Sequence, residues 1–427
     1  MAHDAVLDHV QQALTLLGRS PGTGTAPLRW RLLDVREATL DILGERTAQR
    51  ADIEAMAELA EALDDDRRRG HAAWRRSVWA HRLADYAATE AFARRAVDSA
   101  ARAADAEIRL LAQRMLAMSL AFQGRTHDGQ AMANETLREA RALGLGRIEG
   151  SCLNALGVIA GIQNDEIGAL EFDQQSLVAY RAAGDRRNEA IAHGNIGAGW
   201  LGLGDLPRAR GELEEALRLM RSNGDRALEV SPLCALSTLA LWRGEDAHAL
   251  VHARAALETA IAVHARDHEA AAWCRVGEAE LALGRHAAAA EAFGSAHARA
   301  IEIASPYRHD AAAGLARVAL AQGDGHAAMR VVEELLELAD TTGDDDNALD
   351  GVEFPRLVEW TCHRVLTSAG ERGDPRADKW LTRAHEALQV QAATVQDAAL
   401  RQGFLNNIPA HREIVVAWAT RGVDRRR

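Results

Sequence analysis

Lysine is almost missing. Lys379 is the only one in a chain of 427 residues, and the other strongly basic side chains are all arginine. A phosphate-cradling GxxxxGK[ST] loop needs a lysine at a fixed place, and the sequence around Lys379 does not supply one. Aromatic residues make up 4% and prolines number eight. That scarcity argues against a β-sandwich or barrel, which draw on β-branched and aromatic side chains. The four cysteines, Cys152, Cys234, Cys274 and Cys362, stand far apart with no CxxC pair. Such spacing indicates neither a disulfide framework nor a zinc site. No apolar run approaches the ~20 residues that cross a bilayer. The N-terminus lacks the basic start and unbroken apolar core of a signal peptide. These absences lead us to expect a cytoplasmic protein without a membrane partner. The formal charge of −12 is not interrupted by a basic stripe, so direct binding of nucleic acid is not expected.

What is abundant is alanine and leucine, within a hydrophobic share of 48%. They recur on a beat. Gly124, Asn164, Gly204, Gly244, Gly284 and Gly323 follow one another at intervals of 40 residues, 39 at the last step. Seven residues before each lies a small side chain: Ala117, Gly157, Gly197, Ser237, Gly277 and Ala316. Five after each lies another: Gly129, Ala169, Ala209, Ala249, Ala289 and Ala328. One period earlier, Ser77 and Thr89 fall in the same two columns. A small residue on each of two antiparallel helices allows close packing, and the intervening glycine suits the end of the first helix. Asp165, Asp205, Glu245 and Asp324 then sit where a helix N-terminus favours negative charge. Pro232 falls inside an expected first helix, which must therefore start late or kink.

These columns resemble the tetratricopeptide repeat, with small residues at positions 8, 20 and 27 and glycine at 15. The resemblance implies an all-α fold, a right-handed superhelical solenoid of about seven to eight 40-residue helix pairs with terminal capping helices. Residues 1–28 read as an N-terminal helix and linker, and 29–66 as a helical lead-in. Residues 67–343 carry the repeat array, 344–395 a degenerate repeat, and 396–427 a capping helix and basic tail. The flanking texts, Arg29–Arg69 and "AALRQGFLNNIPAHREIVVAW" (Ala398–Trp418), resemble the ends of the repeat region in STAND-type bacterial signalling ATPases. That group includes MalT-like regulators and ATPase-linked class III nucleotidyl cyclases. Their nucleotide-binding and effector domains have no counterpart in this text, so a stand-alone sensor or a piece of a longer regulator is expected.

In such repeats, positions 2, 5, 6, 9, 12 and 13 of the first helix face the concave groove. The resemblance places Arg114, Asn154, Asn195, Thr238, Trp242, Arg275, Glu278 and Arg317 there. Asparagine amides offer a donor and an acceptor together, which suits an extended peptide backbone. Met118, Val158, Leu201, Cys234 and Leu241 lie between them, making the groove mixed and largely apolar. The expected occupant is a protein or peptide partner, or a small ligand; self-association is left open. No nucleophile–base pair emerges, so no catalytic residue or cofactor is assigned. His248/His252 and His264/His268 share i,i+4 spacing but lack the HExxH pattern and further ligands, so no metal site is assigned. His411, Arg412 and Glu413 are consecutive and diverge around a helix, which makes their segment a terminal cap. Asn406 and Asn407 are expected to cap that helix, with Pro409 in its first turn.

Overall fold

The computed structural model describes residues 2–18, 23–163, 165–303, 305–341, 349, 352–370 and 374–424. Asn164 of the forty-residue beat, the acidic run Asp344–Asp346 and the Arg425–Arg427 tail lie outside them. Among the described residues the secondary structure is helical, in 21 α-helices and two 3-10 turns, with no strand. The first helix, α1 (Ala2–Gly18), precedes the pair α2 (Ala26–Leu43) and α3 (Arg46–Ala62). Seven pairs follow. They are α4 (Asp66–Arg82) with α5 (Tyr86–Arg102), α6 (Ala106–Phe122) with α7 (Thr126–Ala142), and α8 (Gly146–Ile162) with α9 (Glu166–Ala182). Next come α10 (Arg186–Gly202) with α11 (Leu206–Asn223), and α12 (Val230–Trp242) with α13 (Asp246–Ala262). The last two are α14 (Arg266–Ala282) with α15 (His286–Glu302), and α16 (Tyr307–Ala321) with α17 (Gly325–Thr341). The chain ends in α18 (Pro355–Ala369), α19 (Pro375–Thr394), α20 (Ala398–Asn406) and α21 (Pro409–Asp424).

Within each forty-residue pair the backbone itself repeats at twenty. Helices of 17 residues alternate with three-residue links, and the middle link residue is left-handed. At the half-beats this residue is often not glycine: Asp64, Ala104 and His264 have φ of 48, 53 and 53°. The next residue is commonly aspartate. Asp65, Asp85, Asp105, Asp165, Asp185 and Asp205 each accept a hydrogen bond from the backbone N–H three residues on. Each cap satisfies an amide that the helix start leaves open, and contributes about 1 kcal/mol. Asp324 does the same for Ala327 at 2.9 Å. Glu245 does not; its carboxylate goes to Arg243 and Arg210, at 2.6 and 3.0 Å.

The small columns meet inside each pair. Ser237 Oγ on α12 donates to the Ala249 carbonyl on α13 at 2.9 Å. A Cβ at Gly129 would come within 2.6 Å of the Ala117 carbonyl oxygen. The pair α2–α3 uses the same columns differently, with Gln49 Nε2 donating to Glu37 Oε1 at 2.8 Å, both fully buried. At Pro232 the late start is what occurs. A 3-10 turn, Arg226–Leu228, precedes α12, which is 13 residues long. Asp225 is thereby released from capping and pairs with Arg187 at 2.5 Å.

Between α4 and α18 most successive first helices also pack on one another, whereas successive second helices do not pack comparably. The first helices therefore form the inner, concave wall. The wall curves far enough for the chain to meet itself. Gly44, between α2 and α3, abuts Val263, between α13 and α14: a Cβ there would lie 2.6 Å from Val263 Cβ. His3 Nε2 lies 3.0 Å from the Asn223 carbonyl oxygen. Asp41 on α2 faces Arg46, Arg82 and Arg187 at 2.8, 3.7 and 3.5 Å. These three guanidiniums hold its carboxyl far below the usual carboxylate range despite burial.

The final helices close the other end. Ile414 on α21 is fully buried with Leu381, Leu388, Phe404 and Ile408. Asn406 and Asn407 do not cap α21. The Asn406 amide returns to the Gln402 carbonyl, and Asn407 Nδ2 donates to the Gly204 carbonyl at 3.0 Å. His411, Arg412 and Glu413 diverge as expected. His411 turns inward to the Phe404 carbonyl at 2.9 Å, Arg412 to that of Asn406 at 3.3 Å, and Glu413 accepts from Trp360 Nε1 at 2.5 Å. Burial holds the His411 imidazole down at about 4, so it is neutral near pH 7.

Candidate ligand groove on the concave wall

The eight groove residues fall into two groups. Toward the C-terminus the wall is covered by the chain itself. Arg275 on α14 donates to Thr238 Oγ1 on α12 at 3.1 Å and pairs with Glu353 at 3.3 Å. Its guanidinium lies 4.8 Å over the Phe354 ring, and Trp242 meets that ring edge-on at 6.1 Å. Asp310 on α16 accepts from the backbone N–H groups of Glu353 and Phe354, both at 3.3 Å. Burial and the nearby Glu353 raise the Asp310 carboxyl to about 7. Trp242 also packs on the α19–α21 cluster. Thr238 and Arg275 are accordingly 2% and 3% exposed. One unit on, Glu278 and Arg317 pair with each other, one of their bonds at 2.7 Å. These five side chains are engaged within the chain, although Arg275 Nε and Arg317 Nε are buried without a partner and Trp242, Glu278 and Arg317 stay half-buried.

Toward the N-terminus the arrangement differs. Arg114 on α6, Asn154 on α8 and Asn195 on α10 are half-buried on consecutive first helices. From α4 to α18, α8 and α10 are the one consecutive first-helix pair whose mutual packing is largely lost among the described residues. Between them sits Asp173, from the second helix α9, which is 5% exposed. Asn195 Nδ2 donates to its Oδ1 at 3.3 Å, and the Asn154 amide lies beside the same carboxyl. Gly157 makes room: a Cβ there would stand 2.8 Å from Asp173 Oδ1. Burial raises the Asp173 carboxyl to about 7, and the two amides only partly oppose it. The result is a buried carboxyl with two amides beside it, between first helices that have drawn apart.

By sequence, no family model and no curated protein matches the chain. By structure it is similar to a Rap protein complexed with competence and sporulation factor, at 15% identity and a TM-score of 0.53. That match covers 82% of this chain and 98% of the other. The apo form of RapI is similar too, at 12% identity over 83% and 98% of the two chains and a TM-score of 0.52. The fold is a tetratricopeptide-type α-solenoid. A STAND protein with a tetratricopeptide repeat sensor, from Pyrococcus horikoshii, also matches, at 13% identity and a TM-score of 0.44. This chain spans 55% of that protein's length.

Sequence reasoning missed Asp173, because a second-helix residue is not expected to reach the groove. The paired asparagines around it were the available signal. It also missed Glu353 and Phe354, whose contacts lie 78 and 112 residues away at Arg275 and Trp242. The four cysteines are buried, and burial pushes the Cys152 and Cys234 thiols up to about 11 and 12. They behave as small apolar side chains. Among the described residues no helix is long and apolar enough to cross a membrane.

Proposed function

We propose that the chain is a non-catalytic binding module of bacterial signalling or transcriptional regulation, cytoplasmic, with a short peptide held across α6, α8 and α10. One observation carries this reading. Arg114, Asn154 and Asn195 remain half-buried on the concave wall where Thr238 and Arg275 are sealed by the chain's own residues. Asparagine amides at such places take a backbone C=O and N–H together, giving affinity without a fixed side-chain code. The fold likeness to a Rap protein complexed with a factor supports a ligand-binding scaffold in general.

The test uses the full chain and a pool of mixed-sequence hexapeptides. We expect a retained set whose affinity falls about tenfold, ~1.4 kcal/mol, in Asn154→Ala and in Asn195→Ala. Val251→Ala, on the exposed side of α13, should leave it unchanged. Equal retention by all four proteins would contradict the groove.

A second reading makes the chain the sensor arm of a larger nucleotide-driven STAND ATPase or cyclase regulator. The texts at Arg29–Arg69 and Ala398–Trp418 favour it. Association with a separately encoded ATPase or cyclase, seen on mixing the purified proteins, would support it; no interaction would count against it.

A further inference from the structure

A cavity of about 500 Å³ opens between α3, α4 and α5, where the lead-in pair meets the array. The groove positions on α4 fall at Trp74, Arg75 and Val78, and none of them lines it. Ala72 and Ala73 leave the space, and four arginines stand around it. Two of them are spent. Arg102 donates to Asp66 at 2.9 and 3.0 Å, and Arg69 donates to Asp64, Glu61 and Asp66 at 2.7, 2.9 and 3.2 Å. The other two, Arg76 on α4 and Arg95 on α5, meet no carboxylate among the described residues. The Arg76 guanidinium lies 5.8 Å over the Phe92 ring, which stands one turn before Arg95 in the same lining. Four positive charges thus face three negative ones, those of Glu61, Asp66 and Asp98, in a chain whose formal charge is −12.

Ser99 belongs to the same lining and is 8% exposed. Its hydroxyl accepts from Arg102 Nη2 at 3.0 Å and donates to nothing among the described residues. Ser77, Thr89, Ser119, Thr136, Ser176 and Ser237 are buried like it, and each donates to a backbone carbonyl. A buried hydroxyl has one proton to give, and leaving it unpaired costs stability. Arg95 and Ser99 are four residues apart, so they share one face of α5. Unspent donors from two helices thus line one space.

We propose that this cavity is a site for a phosphate group, held by the Arg76 and Arg95 guanidiniums and the Ser99 hydroxyl. A tetrahedral dianion accepts hydrogen bonds from several directions at once, which suits donors that come from two facing helices. A carboxylate is planar and is served by a single guanidinium fork. The volume is that of a small-molecule site, so the phosphate can be free or the end of a small monoester. The site is independent of the peptide groove, because the two have no residue in common.

The test is calorimetric titration of the full chain with inorganic phosphate, ribose 5-phosphate, AMP and acetate, each at ionic strength matched with chloride. Wild-type protein should bind at least one of the phosphate compounds, and acetate about tenfold or more weakly. Tighter binding of an ester than of inorganic phosphate assigns the monoester; equal binding assigns the phosphate group alone. Arg76→Gln and Arg95→Gln should each weaken the binding about tenfold. Ser99→Ala should weaken it about threefold, the smaller share of a neutral donor. Arg95 is exposed and unpaired, so Arg95→Gln keeps the fold even if loss of the Arg76–Phe92 contact disturbs it. Arg94→Gln, beside it on α5 but paired with Glu90 and outside the cavity, should bind like wild type. The site is refuted if no phosphate compound binds, if acetate binds as tightly, or if Arg95→Gln binds like wild type. None of these results bears on the peptide groove.

Discussion

Asp173 is a carboxyl group with amides for neighbours and no arginine against it. Its carboxyl is raised to about 7, mainly by burial, from an ordinary value near 4. The folded value exceeds the unfolded one, so the fold holds this proton more tightly than the open chain does. The associated stability is fully present below about pH 4 and is lost as pH rises through 7. Asp173→Asn removes the ionisation and keeps a hydrogen-bonding side chain. We expect the variant to be more stable than wild type by roughly 4 kcal/mol at pH 8, with the difference closing toward pH 4. Thermal or urea unfolding of both proteins across that range measures it. Glu166 and Asp310 are raised to about 7 as well, so the difference between the two proteins, not the slope of either, is the readout.

The helix pair is the scale at which the sequence was most legible. Forty-residue spacing gave the first-helix turns because glycine marks most of them, and the small columns gave the helix contacts because close approach tolerates little else. The half-beats were hidden, since Asp64, Ala104 and His264 hold the same left-handed turn without glycine. The lead-in pair was hidden differently: Glu37 and Gln49 replace two small residues by one buried hydrogen bond. Element-scale geometry also ranks glycines that look equivalent in the text. Gly44, Gly204 and Gly284 all have positive φ, but only the last faces open space. A Cβ at Gly204 would lie 2.6 Å from the Gly403 carbonyl oxygen. Gly284→Ala should cost about 1 kcal/mol, the ordinary penalty of that backbone. Gly204→Ala and Gly44→Ala should cost roughly 2–3 kcal/mol each, because α20 or the Val263 link must also shift. Equal losses for all three in urea unfolding would contradict these contacts.

At the scale of the molecule, what the sequence could not show is that the solenoid meets itself. Asp41 and Arg187 are 146 residues apart, Gly44 and Val263 are 219, and Gly204 and Asn407 are 203. Periodicity describes neighbours in the array and is silent about such closures. Together with the Arg275–Glu353 contact they decide which part of the concave wall the chain covers, so the groove positions were legible as a column but not their separate surroundings. Asp41→Asn should test the closure. It leaves Arg46, Arg82 and Arg187 without their shared carboxylate, and breaking a buried pair in this way costs about 3 kcal/mol. We expect α2 and α3 to exchange amide hydrogens faster than α6–α10 in that variant. Unchanged exchange at α2 would mean that the closure contributes little.

On the proposed reading the ligand groove lies along Arg114, Asn154 and Asn195 on α6, α8 and α10, while Val395 and α20 cover the C-terminal end of α10 and Glu353 and Phe354 cover α12 to α16. Amide hydrogen exchange of the full chain, with and without a hexapeptide retained from the pool, tests it most directly. Slower exchange should centre on α6, α8 and α10, with α14 and α16 unchanged. Slowing confined to α14 and α16, or to the outer second helices, would contradict the claim.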